Sequence, residues 1–231
     1  MTTHDAESLV ASNVTVADRT VLRRLVLLGA PLALAILETL HPERPSSASA
    51  AVEQGVWFMW FHFIQVPLIG LIALAVYLLT EGLEGRTVSV SRWAVGVFAV
   101  FFSAYDAAAG IGTGYALRNA QGLSAGAQEA IYEAVKDMPV VSLIFGLSIV
   151  GTLAWVVALI AAAMALRRAG ASRGPFILLI LAGVFLLGGH PYPAGMLAFG
   201  CFFVAAAWLE LAQRATNSTD QNAVKREVTP T

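Results

Sequence analysis

The sequence predicts an all-α fold, a polytopic bundle of membrane-spanning helices, and three observations support this class. Of the 231 residues, 58% are hydrophobic and only 13% are charged, whereas a soluble domain carries about 25% charged residues. The mean hydropathy is +0.72. The apolar residues are grouped in long runs, and a membrane helix needs about 20 such residues. Such a chain exposes apolar surface to lipid instead of enclosing it all in one core.

Six apolar segments predict six transmembrane helices. They cover residues 21–40, 56–79, 92–116, 139–166, 175–189 and 194–212. The fifth is short, and only the His-Pro-Tyr-Pro sequence of residues 190–193 separates it from the sixth. Two prolines directly after a Gly-Gly pair disfavour one continuous helix across both segments. We therefore predict a tight hairpin between the fifth and sixth helices.

Polar sequences flank the predicted bundle and interrupt it once. Residues 1–20 form a polar N-terminal segment without the pattern of a signal peptide. Residues 21–213 form one membrane-embedded helix bundle, and the polar residues 214–231 predict a disordered tail. The long connection between the third and fourth helices predicts an amphipathic surface helix over residues 124–137, because apolar residues recur there every four positions and Ser124 can cap its start.

The distribution of basic residues predicts the orientation of the bundle. If the first helix starts in the cytoplasm, only Arg44, Arg118 and Lys136 of the 14 basic residues lie on the outer side. Lysine and arginine are enriched in cytoplasmic loops. The sequence therefore predicts a multi-pass protein of the plasma (inner) membrane with both termini in the cytoplasm.

Composition also excludes several classes of function. The formal net charge is −1 and no basic patch is present, so nucleic acid is not an expected partner. The sequence contains no phosphate-binding loop and no serine hydrolase elbow. Cys201 is the single cysteine and cannot form an internal disulfide. The lipid bilayer is the expected surrounding, and the oligomeric state stays open.

Polar and ionisable residues collect at the outer ends of the first two predicted helices. Glu38 and His41 are three residues apart, as are His62 and Gln65, so each pair lies on one helix face. A charged side chain inside the membrane costs about 2.5–3.5 kcal/mol even on the lenient insertion scale. Such residues persist where they pair, line water or bind an ion.

Three of these positions predict a metal site. We expect His41, His62 and His190 to bind a divalent transition metal, Zn, Fe or Cu, because imidazole is a common ligand of these ions. Glu38 is predicted as a fourth ligand or base. Asp106, near the middle of the third helix, is predicted as a buried catalytic or orienting carboxylate. These residues place the site in the extracytoplasmic half of the bundle.

Two further side chains are predicted to contact a bound cofactor or substrate. Gln65 follows His62 by one helical turn, and Tyr192 lies in the predicted hairpin. A substrate would be a lipid or another amphiphile that enters from the bilayer. The metal would then polarise a carbonyl or activate water, which predicts a hydrolase or an oxidoreductase if the protein is an enzyme.

The spacing of the candidate ligands favours one metal ion. Glu38 and His41 form a single Glu-x-x-His motif, whereas di-iron bundles need two such motifs and two further glutamates. In residue types the set resembles the membrane zinc amide hydrolases, namely the alkaline ceramidases and adiponectin receptors. It departs from them because their His-x-x-x-His on a late helix is absent and His190 stands alone.

Three alternatives use the same residues. A b-type haem protein that carries electrons between quinone and the outer surface would use His62 and His190 as axial ligands. A proton- or ion-coupled carrier would use Asp106 and His62 as relay groups. In a structural subunit, the polar cluster would only fix the packing of the helices.

Overall fold

The computed structural model describes residues 19–42, 45–137 and 142–228. These residues are helical or lie in turns, and none of them forms a strand. The predicted N-terminal segment, residues 1–20, lies outside the described residues except for Arg19 and Thr20. The first three residues of the fourth predicted segment, 139–141, also lie outside them.

The described residues form seven helices. They are α1 (Arg19–Glu38), α2 (Ala48–Leu79), α3 (Arg86–Asn119), α4 (Ala125–Val135), α5 (Ser142–Arg168), α6 (Arg173–Phe185, continued by a 3-10 turn over Leu186–Gly188) and α7 (Ala194–Val228). Five of them, α1, α2, α3, α5 and α7, are long and apolar enough to cross a membrane. The all-α class is therefore confirmed, with α6 as a shorter apolar helix.

Six helices form a closed ring, in which each packs against its two neighbours. The order around the ring is α1, α2, α3, α5, α6 and α7, and α7 packs back against α1. Helix α4 lies outside this ring and packs on α2 and α3. Because consecutive helices are neighbours, the end of α1, the start of α2 and the end of α3 meet at one end of the bundle. The connection between α6 and α7 lies there too, and we call this the histidine end.

An aromatic core fills the middle of the ring. Trp155 of α5 is fully buried, and its ring centroid lies 4.8 Å from that of Phe98 and 5.9 Å from that of Phe202. Its indole N–H donates a hydrogen bond of 3.0 Å to the carbonyl of Ala182. Helices α3, α5, α6 and α7 thus share one core, and the only polar group of this tryptophan is satisfied.

Ion pairs hold the opposite end of the ring. The Arg23 guanidinium binds the carboxylate of Glu210 and lies 3.4 Å from Glu81 Oε2. Arg24 Nε lies 3.4 Å from the second carboxylate oxygen of Glu210. These contacts join the start of α1 to the segment after α2 and to α7.

Helix α2 begins well before the predicted start at residue 56. Ser47 Oγ accepts a hydrogen bond of 3.3 Å from the N–H of Ala50 and caps the helix. Glu53 and Gln54 belong to the helix although they are polar, so hydropathy alone missed its first turns. Because polar residues are common in the first turns of a helix, hydropathy places the start of such a helix too late in the sequence.

The other boundaries also differ from the prediction. Helix α3 covers residues 86–119 instead of 92–116. Helix α7 continues to residue 228, through residues for which the sequence predicts a disordered tail. That segment contains Gln, Ala, Lys, Arg and Glu, which are good helix formers although they are not apolar.

Helix α4 occupies the predicted surface segment but differs from the expectation in two respects. Ser124 stands at its N-cap, yet the hydroxyl makes no capping hydrogen bond, so the predicted side-chain cap is wrong. Its carbonyl instead accepts a bond of 3.0 Å from the N–H of Gln128. The apolar stripe also packs partly on protein, because Val135 is buried against Ala51 and Leu117.

Two turns of π-helix interrupt the ring helices. One covers Leu25–Gly29 of α1 and ends two residues before Pro31, whose missing N–H removes one bond of the α-helical ladder. The other covers Asp106–Gly112 of α3. A π turn is frequent at functional sites, and the hydropathy pattern predicts neither of the two.

Glycines let α2 and α3 approach closely. A Cβ added at Gly55 would lie 2.7 Å from the backbone nitrogen of Arg118, and one at Gly114 would lie 2.5 Å from that of Met59. No real Cβ atom sits that close to backbone, so only glycine fits at these two positions. The contact fixes how the two helices are aligned along their length.

We expect Gly114→Ala to destabilise the bundle, because its methyl group would meet the backbone of Met59. Overpacking of this kind costs about 1–3 kcal/mol. Thermal unfolding in detergent would measure the effect. Gly96→Ala on the same helix is the matched control, since no atom lies within 4 Å of the added carbon. Equal stability of the two variants would contradict close packing between α2 and α3.

Candidate metal centre

Three histidines from separate parts of the chain meet at the histidine end. His41 follows α1, His62 lies in α2, and His190 lies between α6 and α7. One ligand atom from each lies within 4.8 Å of those of the others. The ring centroids of His41 lie 5.0 Å from His190 and 5.6 Å from His62, and those of His62 and His190 are 5.9 Å apart. The structure therefore brings together the three predicted ligands.

Backbone carbonyls fix the rings of His41 and His62. His41 Nδ1 lies 2.8 Å from the carbonyl oxygen of Pro42, and His62 Nδ1 lies 2.8 Å from that of Phe58. A ring that donates through Nδ1 keeps Nε2 as the nitrogen with a free lone pair. Both rings are thus held with Nε2 available to a metal.

A carboxylate and an amide fix the ring of His190. His190 Nδ1 lies 3.6 Å from Glu38 Oε2 and 3.5 Å from Gln65 Nε2. Gln65 Nε2 also donates a hydrogen bond of 2.7 Å to Glu38 Oε1. Glu38 and Gln65 are each fully buried. In metal sites the second nitrogen of a ligating histidine commonly contacts a carboxylate, which orients the ring and raises its basicity.

Asp106 is the most isolated polar side chain of this region. It is fully buried at the first residue of the π turn in α3, and neither carboxylate oxygen has a hydrogen-bond partner among the described residues. The same π turn carries Gly110, which packs directly on the ring of His62. The turn therefore brings a carboxylate and a histidine contact to one part of the site.

The site contains more buried acceptors than donors. Besides the two oxygens of Asp106, Glu38 Oε2 and Gln65 Oε1 are buried and have no hydrogen-bond partner in the part of the chain that the structure describes. A buried acceptor without a donor costs about 1–3 kcal/mol. Because all four atoms are oxygens, the surroundings favour a positively charged group.

The surroundings affect the protonation of the two histidines outside the spanning helices, His41 and His190, in opposite directions. Burial lowers the pKa of His41 to about 4, with a further contribution from the charge of His190, so its imidazole is neutral at pH 7. Burial also opposes the protonation of His190, but contact with Glu38 and the negative charges of Asp106 and Glu38 raise its pKa above the usual value. The surroundings of His190 thus favour a positive charge at this ring, as a proton or as a metal ion.

Two glycines, one in the connection between α6 and α7 and one in the first turn of α7, hold His190 in place. Gly189 has φ 97°, a conformation that L side chains rarely adopt. A Cβ at Gly195 would overlap the carbonyl oxygen of His190 and lie 2.9 Å from the carboxyl carbon of Glu38. Close approach of α7 to the end of α1 therefore needs glycine here.

Aromatic side chains surround the three histidines. The rings of Phe61 and Phe58 lie 4.9 Å from His41 and 4.5 Å from His62, respectively. Those of Phe102 and Tyr105 lie 5.9 Å and 6.2 Å from His190. This aromatic collar lowers the polarity around the three rings, which strengthens electrostatic interactions there.

The remaining predicted residues take different positions. Gln65 lies inside the site, where it contacts Glu38 and His190. Tyr192 is 61% exposed and lines a neighbouring cavity. The sequence argument missed Phe58, whose carbonyl positions His62, and gave Gly110 no role beside the histidine ring. The small residues near Asp106 in the sequence were the available signal for the contact between Gly110 and the ring of His62.

Comparisons with protein-family models, with curated proteins and with solved structures find no match to this chain. A fold alone does not determine function, because one fold supports many different chemistries. The donor set is more informative: three convergent imidazoles, a carboxylate beside one of them and a second buried carboxylate near it suit a divalent transition metal.

We expect Gly110→Ala to weaken binding of Zn²⁺, because the added methyl carbon would lie 2.2 Å from Cγ of His62 and push the ring aside. Changes around a metal ligand commonly cost about 10–100-fold in affinity. Gly112→Ala in the same π turn is the control, since its added carbon meets nothing closer than 3.6 Å. Competition with a chromophoric chelator would measure both affinities, and equal values would contradict the contact.

Proposed function

We propose that the protein is an integral membrane metalloprotein in which His41, His62 and His190 hold one divalent transition metal, zinc, iron or copper. The observation that carries this proposal is the convergence of one ligand atom from each histidine within 4.8 Å. Imidazole suits these metals. Catalytic zinc sites use three protein ligands and keep a fourth position open for water or substrate.

Two carboxylates support the proposal through charge. A divalent ion in an apolar bundle needs compensating negative charge, and Glu38 and Asp106 together supply two units. Glu38 contacts His190 through its Oε2, which supports an orienting role for this carboxylate. Asp106 has no hydrogen-bond partner among the described residues, so a nearby cation would stabilise its charged form.

The reaction that we propose for this centre is hydrolysis of a lipid or another amphiphile. A bound divalent metal supplies Lewis acidity, which polarises a carbonyl or activates water. Glu38 and Gln65 keep the ring of His190 in one orientation, and the aromatic collar lowers the polarity around the three rings. The buried carboxylates are the groups available to accept a proton there.

The packing of the rings favours a single ion over haem. A haem held by His62 and His190 would need a flat space between these two rings. His41 instead lies 5.6 Å and 5.0 Å from them, so that all three rings face one small volume. This arrangement supports three ligands around one ion.

We further propose six membrane spans, with both termini in the cytoplasm and the metal centre on the extracytoplasmic side. Five helices are long and apolar enough to span, and α6 is the shorter sixth. The positions of the basic residues support the orientation. The site and the pair Arg23 and Arg24 lie at opposite ends of the bundle. In this orientation the arginines are on the cytoplasmic side, so the site is on the extracytoplasmic side.

Metal content tests the proposal directly. The purified wild-type protein should contain about one zinc, iron or copper per chain by elemental analysis, without the absorption of haem. His62→Ala should abolish binding, because it removes one of three ligands. Asp106→Asn keeps the shape but removes the charge, and should weaken binding about 10–100-fold.

The fourth histidine provides a matched control for these measurements. His4→Ala removes the one histidine outside the cluster and should leave the metal content unchanged. A metal-free wild type, or full metal content in His62→Ala, would refute the proposal. If Asp106→Asn only stabilises the protein, a packing role explains this carboxylate better, since one costly buried charge disappears.

Accessibility of the two termini tests the proposed topology. Because six spans return the chain to the side where it starts, tags at both ends should be protected from protease in intact cells and cleaved after lysis. A tag in the connection after α3, beside Gly122, should be cleaved in intact cells. An accessible C-terminal tag with a protected N-terminal tag would mean an odd number of spans, and two accessible tags would mean the reverse orientation.

A further inference from the structure

A cavity of about 630 Å³ lies beside the metal centre at the histidine end. Pockets that bind small molecules commonly have volumes of about 300–1,000 Å³. One face of α2 lines it with Ala51, Gln54 and Phe58. His41 and the segment after His190 form another part of its wall.

The helix positions around the cavity show how far it extends along α2 and α3. Ala109, Thr113 and Leu117 of α3 line it at intervals of four residues, so they lie on one face of that helix. At 1.5 Å per residue, the lined stretch of α3 is about 12 Å long, and that of α2 from Ala51 to Phe58 is about 10 Å long. The cavity therefore runs along the two helices.

One end of the cavity reaches the metal centre. His41 is part of the wall, and Phe58 lines the wall while its carbonyl holds His62 Nδ1. Pro191, the residue after His190, lines it as well. A molecule in the cavity therefore contacts one proposed ligand and the immediate neighbours of the other two.

Helix α4 closes the other end. Tyr132, Val135 and Lys136 line the cavity there, and the Lys136 ammonium is paired with Glu133 at 2.6 Å. Val135 packs against Ala51 and Leu117, which are themselves wall residues. Aliphatic and aromatic groups thus form most of the wall between the two ends.

We propose that this cavity binds a single-chain amphiphile, with the chain between α2 and α3 and a metal-coordinating polar head beside His41. This inference rests on the proposed metal centre and adds the class of molecule that the centre binds. The mostly apolar wall, which follows α2 and α3 for about 10–12 Å, suits one hydrocarbon chain of moderate length. The histidines at one end suit a carbonyl or an acidic head group. A compact polar molecule would leave the apolar wall without a partner.

Cobalt spectroscopy with two hydroxamates tests the inference. Co²⁺ in the metal centre reports ligand binding through its visible absorption, and hydroxamates coordinate such ions through two oxygens. Octanohydroxamate should bind at least about tenfold more tightly than acetohydroxamate, because the cavity removes part of its six additional methylene groups from water. The protein is kept at one detergent concentration throughout, so that partitioning of the longer chain into micelles is constant.

Variants of the wall separate binding in the cavity from binding to the detergent. Gln54→Trp should remove the advantage of the longer chain, because the indole would occupy the cavity. Glu53→Trp adds the same group at the exposed neighbouring position and should retain the advantage. Val135→Phe narrows the cavity from α4 and should reduce the advantage as well. An unchanged cobalt spectrum without hydroxamate shows that each variant is folded and loaded.

The outcomes distinguish this inference from the proposed function. If cobalt binds to the wild type but the two hydroxamates bind equally well, the cavity does not hold the chain and the metal centre stands. The same conclusion follows if Gln54→Trp and Val135→Phe both keep the full advantage of octanohydroxamate. If no cobalt binds at all, the metal centre fails and the inference fails with it.

Discussion

Desolvation of the oxygens at the histidine end is the constraint on which the site depends. Glu38 Oε2, Gln65 Oε1 and both oxygens of Asp106 lie in an apolar bundle without donors among the described residues. Each would be well hydrated in water, so folding gives up that hydration. The one compensation that the geometry offers to all of them is positive charge near His190 and the other two rings. The same polar groups that weaken an apolar bundle therefore favour a cation in the proposed metal centre.

Close backbone approach makes this arrangement possible. Gly110 lets α3 rest on the ring of His62, and Gly195 lets α7 pass beside His190 and the end of α1. With larger side chains at these two positions, the helices would lie farther apart and the polar groups would not contact one another. Each polar group would then be buried without a partner. Tight packing here substitutes for the hydrophobic driving force that is missing between helices in lipid.

Sequence reasoning predicted that the three histidines share one end of the bundle, but not the contacts between their side chains and their neighbours. The depth of His62 and the position of His41 after the first helix predicted that they would share one end of the bundle, and they do. The bond between Gln65 and Glu38 could not be predicted, because it depends on how α1 and α2 are rotated about their axes. Distance along a helix follows from residue number, whereas rotation follows from packing at residues such as Gly114. For the same reason, Tyr192 could be assigned to the right end of the bundle but not to the cavity wall.

The π turn in α3 has a consequence for how this helix tolerates change in length. Such a turn holds one residue more than an α-helix of the same rise, and each residue of an α-helix rotates the chain by about 100°. Deletion of a single residue between Asp106 and Gly112 would leave a regular helix that still spans the bundle. Because the deletion removes the extra residue, Gly114 would still face Met59 and Leu117 would still face the cavity. The same deletion in a regular part of α3 would rotate everything beyond it by about 100°, so Gly114 would leave Met59 and Leu117 would leave the cavity. The extra residue changes the rotation of the second part of α3 about the helix axis relative to the first part. One continuous helix can therefore make the contacts of both parts, which an α-helix of the same sequence would point in different directions.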